Sequence, residues 1–220
     1  QILQNKEAYS MQEKQILASD RDHETEEGRG YSRIPEVDGT EAQGDETIKK
    51  QSNMQTEFEL FALLREEHLT MSTAESCTGG MIAARMVNVP GVSEVFTAGL
   101  VTYSNEAKMR LLGVREETLA AWGAVSRETA AEMAEGGAKA NQTDLCLSTT
   151  GIAGPDGGTP QKPVGLVYMA CCLGKKTKVR RYQFQGDRQS VREQAVQKAL
   201  ELAKQCLIEN RTGLLENSEI

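Results

Sequence analysis

The sequence has few of the side chains that most often carry hydrolytic, metal or redox chemistry. It contains two histidines among 220 residues. His23 lies in a polar stretch and His68 precedes the first predicted strand, so neither is placed to serve a serine–histidine–aspartate triad. No carboxylates stand with His or Cys partners at ligand spacing, and Asp156 is isolated. We therefore expect neither a bound metal nor a cofactor.

Positive charge and long apolar runs are also scarce. The formal net charge is −7, with 25 basic against 32 acidic residues. General attraction to nucleic acid or anionic lipid is not expected at this balance, so any bound phosphate needs a local site. No apolar run approaches the roughly 20 residues that span a bilayer. We expect neither a nucleic-acid nor a membrane partner.

The five cysteines form no C-x-x-C pair, and three of them lie inside apolar runs: Cys77, Cys146, Cys171, Cys172 and Cys206. This usage favours free thiols in a reducing compartment, and hence a cytoplasmic location.

The composition divides the chain into three parts. Residues 1–53 are polar and charge-rich with few periodic apolar positions, which predicts a disordered leader. Residues 54–210 carry the periodic apolar pattern of one folded domain, and residues 211–220 are interpreted as a flexible tail.

Strand patterns alternate with helix patterns throughout the folded part. Predicted strands cover residues 69–74, 95–102, 145–150, 164–173 and 178–184, and predicted helices cover 81–89, 105–112, 116–122, 127–140 and 189–209. Asn105 and Ser126 are predicted N-caps, Gly113 and Gly123 are predicted stops, and Trp122 is assigned to the core. The order predicts a three-layer α/β/α sandwich with a mainly parallel mixed sheet containing one antiparallel strand.

The turn at residues 73–80 follows the first predicted strand and precedes a helix. Its sequence, Thr-Ala-Glu-Ser-Cys-Thr-Gly-Gly, crowds hydroxyls, a thiol and a carboxylate beside two glycines. From the residues alone it is either an anion cradle or a platform for a nucleophile. Ser76 and Cys77 are rival nucleophiles, and Cys77 is also suited to packing.

A serine nucleophile needs a neighbouring base to remove its proton. Because neither histidine is suitably placed, lysine is the remaining conventional base. Lys108 follows the second predicted strand, where Tyr103 could pass a proton or orient the leaving group. Burial would lower the lysine pKa enough to free the amine. The alternative is that Lys108 is a solvated helix lysine and Tyr103 a strand-end aromatic residue.

A second glycine-rich segment, residues 151–158, follows a strand that ends in two threonines. It is either a ligand cradle or a structural turn, and it fits neither the dinucleotide fingerprint nor a P-loop. Arg188 and Arg192 begin the last helix and could reach a phosphate, or could lie on a solvated face or in a salt bridge.

Five segments, in this order, closely resemble the CinA C-terminal domain family, the nicotinamide-nucleotide amidohydrolases also called PncC. They are TAESCTGG from Thr73, TYSNEAK with LGV from Thr102, GAVS from Gly123, TGIAGPDGG with KPVG from Thr150, and GDR from Gly186. The resemblance spans about residues 56–208 and leaves out the leader.

The resemblance implies hydrolysis of the carboxamide of nicotinamide mononucleotide to nicotinic acid mononucleotide and ammonia, in pyridine-nucleotide salvage. Ser76 would be the nucleophile, Lys108 its base and Tyr103 an assisting residue. The residues implied in substrate binding are Thr78, Gly79, Gly80, Ser93, Thr150, Gly151, Gly154 and Arg188. A homodimer is also implied.

One departure from the family pattern concerns the leader. In many relatives this domain follows a molybdopterin-binding-like domain, and residues 1–53 are too short and too polar for that. The chain therefore resembles the stand-alone amidase. The alternatives are a non-catalytic nucleotide-binding or competence-associated module and, with less support, a phosphatase or kinase-like enzyme.

Overall fold

The computed structural model describes residues 56–214 and 216. The leader assigned to residues 1–53 and half of the tail assigned to residues 211–220 lie outside these residues. The helices are α1 (Thr56–Glu66), α2 (Met81–Met86), α3 (Asn105–Leu112), α4 (Glu116–Trp122), α5 (Arg127–Asn141) and α6 (Arg188–Arg211). The strands are β1 (Met71–Glu75), β2 (Phe96–Val101), β3 (Leu145–Gly151), β4 (Leu166–Leu173) and β5 (Lys176–Gln183), and a short 3-10 helix covers Val92–Glu94.

The strands form one sheet in the order β2-β1-β3-β4-β5. The β1 strand pairs in parallel with β2 and β3, whereas β4 runs antiparallel to both β3 and β5. Four strands therefore point one way and β4 points the other. This arrangement confirms the predicted α/β class and its single reversed strand. The carboxyl ends of β1, β2 and β3 meet at one edge of the sheet.

Helices cover both faces of the sheet. On one face α1, α2 and α6 pack over a cluster that includes Leu60, Met86 and Leu200. On the other face α5 packs against the sheet with α3 and α4 beside it, and Met133 and Leu112 meet Cys146 there. Side chains along β3 alternate between the two faces, as a strand with helices on both sides requires. The result is the predicted three-layer sandwich.

The described helices include none with the length and apolar character needed to cross a bilayer. All five cysteines are buried as free thiols, as the sequence predicted.

The carboxylate of Glu75, the last residue of β1, organises the start of α2. It accepts hydrogen bonds from the backbone amides of Gly80 (2.9 Å), Ile82 (3.1 Å) and Ala83 (2.9 Å). It also accepts the hydroxyl of Thr78 at 2.7 Å. A negative charge at the positive end of the helix dipole, bound to otherwise unpaired amides, explains why a helix starts here without a conventional side-chain cap. The amino end of α2 is thus filled by the protein itself.

Two predicted cap and core positions need correction. The cap of α3 is Ser104, whose hydroxyl accepts the amide of Ala107, because the helix already includes Asn105. Trp122 is 56% exposed, since it ends the short helix α4 on the outer surface, so its assignment to the core was wrong. The predicted Ser126 cap and Gly113 stop are confirmed.

We predict that Glu75→Gln lowers the free energy of unfolding by about 1–3 kcal/mol, because an amide NH2 cannot accept the bonds made by one carboxylate oxygen. Urea denaturation measures the change. The control is Glu116→Gln in the first turn of α4, where the side chain is exposed and the expected change is within about 0.5 kcal/mol. Equal stability of Glu75→Gln and wild type would contradict the capping role.

Candidate active site

The candidate site lies at the sheet edge where the parallel strands end. Ser76 follows β1, Tyr103 follows β2, and the loop of residues 152–165 follows β3. A cleft of about 230 Å³ opens between these segments and the start of α6, and its lining includes Cys77, Tyr103, Gly154 and Arg188. Its position agrees with the rule that ligands gather beyond the carboxyl ends of strands in α/β sheets.

Ser76 and Lys108 are in direct contact. Lys108 Nζ lies 3.0 Å from Ser76 Oγ, within ordinary hydrogen-bond distance. The backbone amide of Ser76 donates to the Thr149 carbonyl at 2.9 Å, which continues the β1–β3 pairing by one residue and fixes the serine at the strand end. Two residues that are 32 positions apart in sequence are therefore joined at the site.

Lys108 is buried, with 1% of its surface exposed. Its other hydrogen bond runs from Nζ to the Thr102 carbonyl at 2.8 Å. Within the described part of the chain, no carboxylate lies at ion-pair distance from this ammonium. Burial without a counter-charge lowers the pKa of Lys108 below its ordinary value of 10.5. The interpretation of Lys108 as a solvated helix lysine was wrong.

The rival nucleophile Cys77 lies in a different environment. Its side chain joins the core cluster beneath the turn, and burial raises the pKa of the thiol to about 11. The thiolate is the reactive form of cysteine, so a raised pKa leaves little of it at neutral pH. These properties favour the packing role for Cys77.

Residues 76–79 form a β-turn, in which the Gly79 amide donates to the Ser76 carbonyl at 3.1 Å. The amides of the two central residues, Cys77 and Thr78, have no oxygen acceptor among the described residues. By contrast, the Gly80 amide is bound to Glu75. The three residues predicted to support the oxyanion and the helix start therefore have different roles. Thr78 supplies an open amide, whereas Gly79 and Gly80 build the turn.

Arg192 holds this turn from behind. Its Nε donates to the Cys77 carbonyl at 3.1 Å, and its Nη2 donates to the Thr78 carbonyl at 2.9 Å. Its Nη1 lies 3.4 Å from Gln189 Oε1. The guanidinium is therefore engaged with the backbone, in none of the roles that the sequence suggested for it.

Arg188 is exposed and joins the two walls of the cleft. Its Nη1 donates to the Gly154 carbonyl at 2.7 Å, and its Nη2 donates to the Tyr103 hydroxyl at 3.0 Å. Gly154 has φ +84°, and a Cβ there would lie 2.6 Å from Val164 Cγ1, so this loop position requires glycine. Tyr103 is 63% exposed. Among the residues that the structure describes, it forms no hydrogen bond with Ser76 or Lys108.

Three further residues were predicted to bind the substrate, and they lie at different distances from the cleft. Gly151 lines the cleft. Thr150 lies nearby, but its hydroxyl donates to the Ala124 carbonyl at 2.7 Å and braces the segment before α5. Ser93 is in the 3-10 helix before β2, at the amino ends of the parallel strands, where Met71 pairs with Phe96. Within one chain Ser93 is therefore at the sheet edge opposite Ser76, and this prediction is not supported.

The described residues contain no group of three His, Cys, Asp or Glu side chains arranged to hold a metal ion. Sequence reasoning assigned no role to Glu75 and did not foresee the contacts of Arg192. A carboxylate directly before a helix-starting turn was an available signal for Glu75. No local pattern could identify the partner of Arg192, which lies 115 residues from Cys77.

The family model for the CinA C-terminal domain matches residues 53–207. A Clostridium acetobutylicum protein named as competence-damage inducible is 55% identical over 149 residues, which are 68% of this chain and 36% of that protein. A CinA-like protein of Kosmotoga olearia is 56% identical over 146 residues, which are 66% of this chain and 35% of that protein. The chain thus spans about a third of the length of these relatives.

Solved structures give the same result. The competence/damage inducible protein CihA of Agrobacterium tumefaciens is 39% identical with a TM-score of 0.66, over 68% of this chain and 92% of that one. A competence or damage-inducible protein of Enterobacter asburiae is 37% identical with a TM-score of 0.68, over 70% and 98% of the two chains. Because the family model covers more than half of the chain, this chain belongs to the CinA C-terminal domain family.

Proposed function

We propose that this domain is an amidohydrolase that converts nicotinamide mononucleotide to nicotinic acid mononucleotide and ammonia through a serine–lysine acyl-enzyme. The observation that carries the proposal is the 3.0 Å contact between Ser76 Oγ and a buried Lys108 Nζ. The substrate follows from the family resemblance in the motifs, whereas the names of the relatives refer to competence and damage and state no reaction.

In the first half-reaction, neutral Lys108 accepts the proton of Ser76 as Oγ attacks the carboxamide carbon. The carbonyl oxygen gains negative charge, and the open amides of Cys77 and Thr78 are the donors nearest in sequence to the nucleophile. They stabilise this oxyanion as preorganised dipoles. Lys108 then returns the proton to the carboxamide nitrogen, the C–N bond breaks, and ammonia leaves an ester on Ser76.

In the second half-reaction, water replaces the amine. Lys108 removes a proton from the water, whose oxygen attacks the ester carbon through a second oxyanion at the same donors. The proton then passes to Ser76 Oγ as the ester bond breaks, which releases the carboxylate product. The lysine acts as base and acid in each half, so histidine is unnecessary.

The phosphate of the substrate is assigned to Arg188. The guanidinium is exposed at the mouth of the cleft, and its current acceptors, the Gly154 carbonyl and the Tyr103 hydroxyl, are neutral. A phosphate forms stronger, charge-assisted bonds with arginine than either of these acceptors does. Tyr103 would then be released to assist at the reacting group.

We predict that Ser76→Ala and Lys108→Met each lower the kcat for ammonia release by at least about four orders of magnitude, as expected when either member of a catalytic unit is lost. The control Lys139→Met removes an exposed lysine on α5 and should keep wild-type kcat. Ammonia release by either dyad variant at the wild-type rate would exclude the dyad. A thermal shift on nicotinamide mononucleotide without ammonia release by wild type would instead indicate a binding module.

We predict that kcat/KM rises with pH along a limb set by Lys108. Protonated Lys108 cannot accept the serine proton, so activity is low at acid pH and increases as the amine becomes neutral. Because burial lowers this pKa, the limb should lie below 10.5. In NMR titration of 13C-labelled lysine, the Lys108 resonance should titrate below the ordinary lysine pKa of 10.5. A limb at the ordinary lysine value would contradict this assignment.

We predict that Arg188→Gln raises KM for nicotinamide mononucleotide by about 10- to 100-fold, the effect expected from losing hydrogen bonds to a charged group. The matched comparison is nicotinamide riboside, which lacks the phosphate. Its kcat/KM should change far less. If both substrates lose activity equally, Arg188 acts through Tyr103 or the loop and does not hold the phosphate.

A further inference from the structure

We propose that Arg192 is a positioning residue that orients and strengthens the Thr78 amide as an oxyanion donor of the Ser76 turn, acting through the backbone. The inference rests on the proposed acyl-transfer function, because it concerns the site where that reaction develops charge. It assigns Arg192 neither to the substrate nor to the phosphate.

The helix α6 positions Arg192 for this role. Arg188 and Arg192 are four residues apart, so they lie on the same face of the helix and point toward the same sheet edge. Arg188 reaches across the mouth of the cleft, whereas Arg192 reaches the carbonyls of Cys77 and Thr78. A planar fork that binds two successive carbonyls fixes the orientation of both peptide units.

The geometry of the peptide bond converts that contact into donor orientation. In a trans peptide the carbonyl and the amide hydrogen point in opposite directions. The carbonyl of Cys77 shares its peptide with the amide of Thr78, so binding that carbonyl from behind directs the Thr78 amide away from Arg192. The carbonyl of Thr78 likewise shares its peptide with the Gly79 amide, which closes the turn onto Ser76. The Thr78 amide is thereby held open for an incoming oxygen.

Charge adds to orientation. A carbonyl that accepts from a guanidinium is polarised, and the polarisation extends along the peptide to make its amide a stronger donor. Within the described residues Arg192 has no carboxylate at ion-pair distance, so its charge is directed at these carbonyls and not neutralised by a partner. Glu75 also holds the turn, because its carboxylate accepts the Thr78 hydroxyl at 2.7 Å. The turn is therefore fixed by contacts with two charged side chains.

The test compares Arg192→Gln with Arg211→Gln, which removes an arginine at the far end of the same helix, where it pairs with Glu66. Each variant is assayed for kcat and KM on nicotinamide mononucleotide. It is also assayed for the rate at which a fluorophosphonate probe labels Ser76, since that reaction forms an oxyanion without needing the amide substrate.

For Arg192→Gln we expect kcat and the labelling rate to fall by about 10- to 100-fold, which is less than the loss of a whole oxyanion donor. KM should stay within about twofold, and the acid limb set by Lys108 should keep its pH, because the dyad is intact. Arg211→Gln should match wild type in every assay. Arg192→Lys should recover part of the rate, since an ammonium can reach one of the two carbonyls.

A rescue experiment separates positioning from folding. Millimolar guanidinium chloride should raise the kcat of Arg192→Ala, whereas the same concentration of sodium chloride should not. If Arg192→Gln keeps wild-type kcat and labelling while wild type releases ammonia, the inference is overturned and the proposed function stands. If wild type is labelled but releases no ammonia, the proposed function fails. The inference is then decided by the labelling rate of Arg192→Gln relative to that of wild type. If wild type neither labels nor releases ammonia, both are overturned.

Discussion

The buried carboxylate of Glu75 is the interaction on which the site depends. It ends β1, accepts the first amides of α2 and binds the hydroxyl of Thr78, so strand, turn and helix form one rigid unit. The same contact removes the amino end of α2 from the set of possible anion sites, because the protein has already placed a negative charge there. Anionic groups of a ligand must therefore be met elsewhere, and the open amides of the turn and the exposed guanidinium of Arg188 are two candidates.

A second constraint is the burial of Lys108, which has no counter-ion among the residues that the structure describes. An uncompensated ammonium is costly in a protein interior, and the cost is reduced when the amine is neutral. Lys108 is held at Ser76 by a helix with a good N-cap at Ser104 and a left-handed stop at Gly113. The fold thus buries an ionisable group whose pKa is lowered, which is typical of sites where proton transfer occurs.

Local patterns in the sequence determine much of this structure, and long-range contacts determine the rest. Gly113 and Ser126 could be recognised because a helix stop and a helix cap depend on neighbouring residues. The N-cap of α3 was predicted at Asn105 and lies at Ser104. The prediction was one position off because both residue types can cap a helix. The exposure of Trp122 could not be predicted, since a seven-residue helix gives too little periodicity to define its buried face.

The contacts of the last helix have a consequence for how the protein is made. Arg192, which binds the carbonyls of the Ser76 turn, lies 115 positions after Cys77. Most of the domain is therefore synthesised before this contact can form. A nascent chain that ends before α6 can contain the serine and the lysine, yet the carbonyls of Cys77 and Thr78 lack their partner. The geometry of the Ser76 turn is therefore completed by the last helix of the fold, and a chain that ends before this helix carries Ser76 and Lys108 beside amides that are not yet fixed in place.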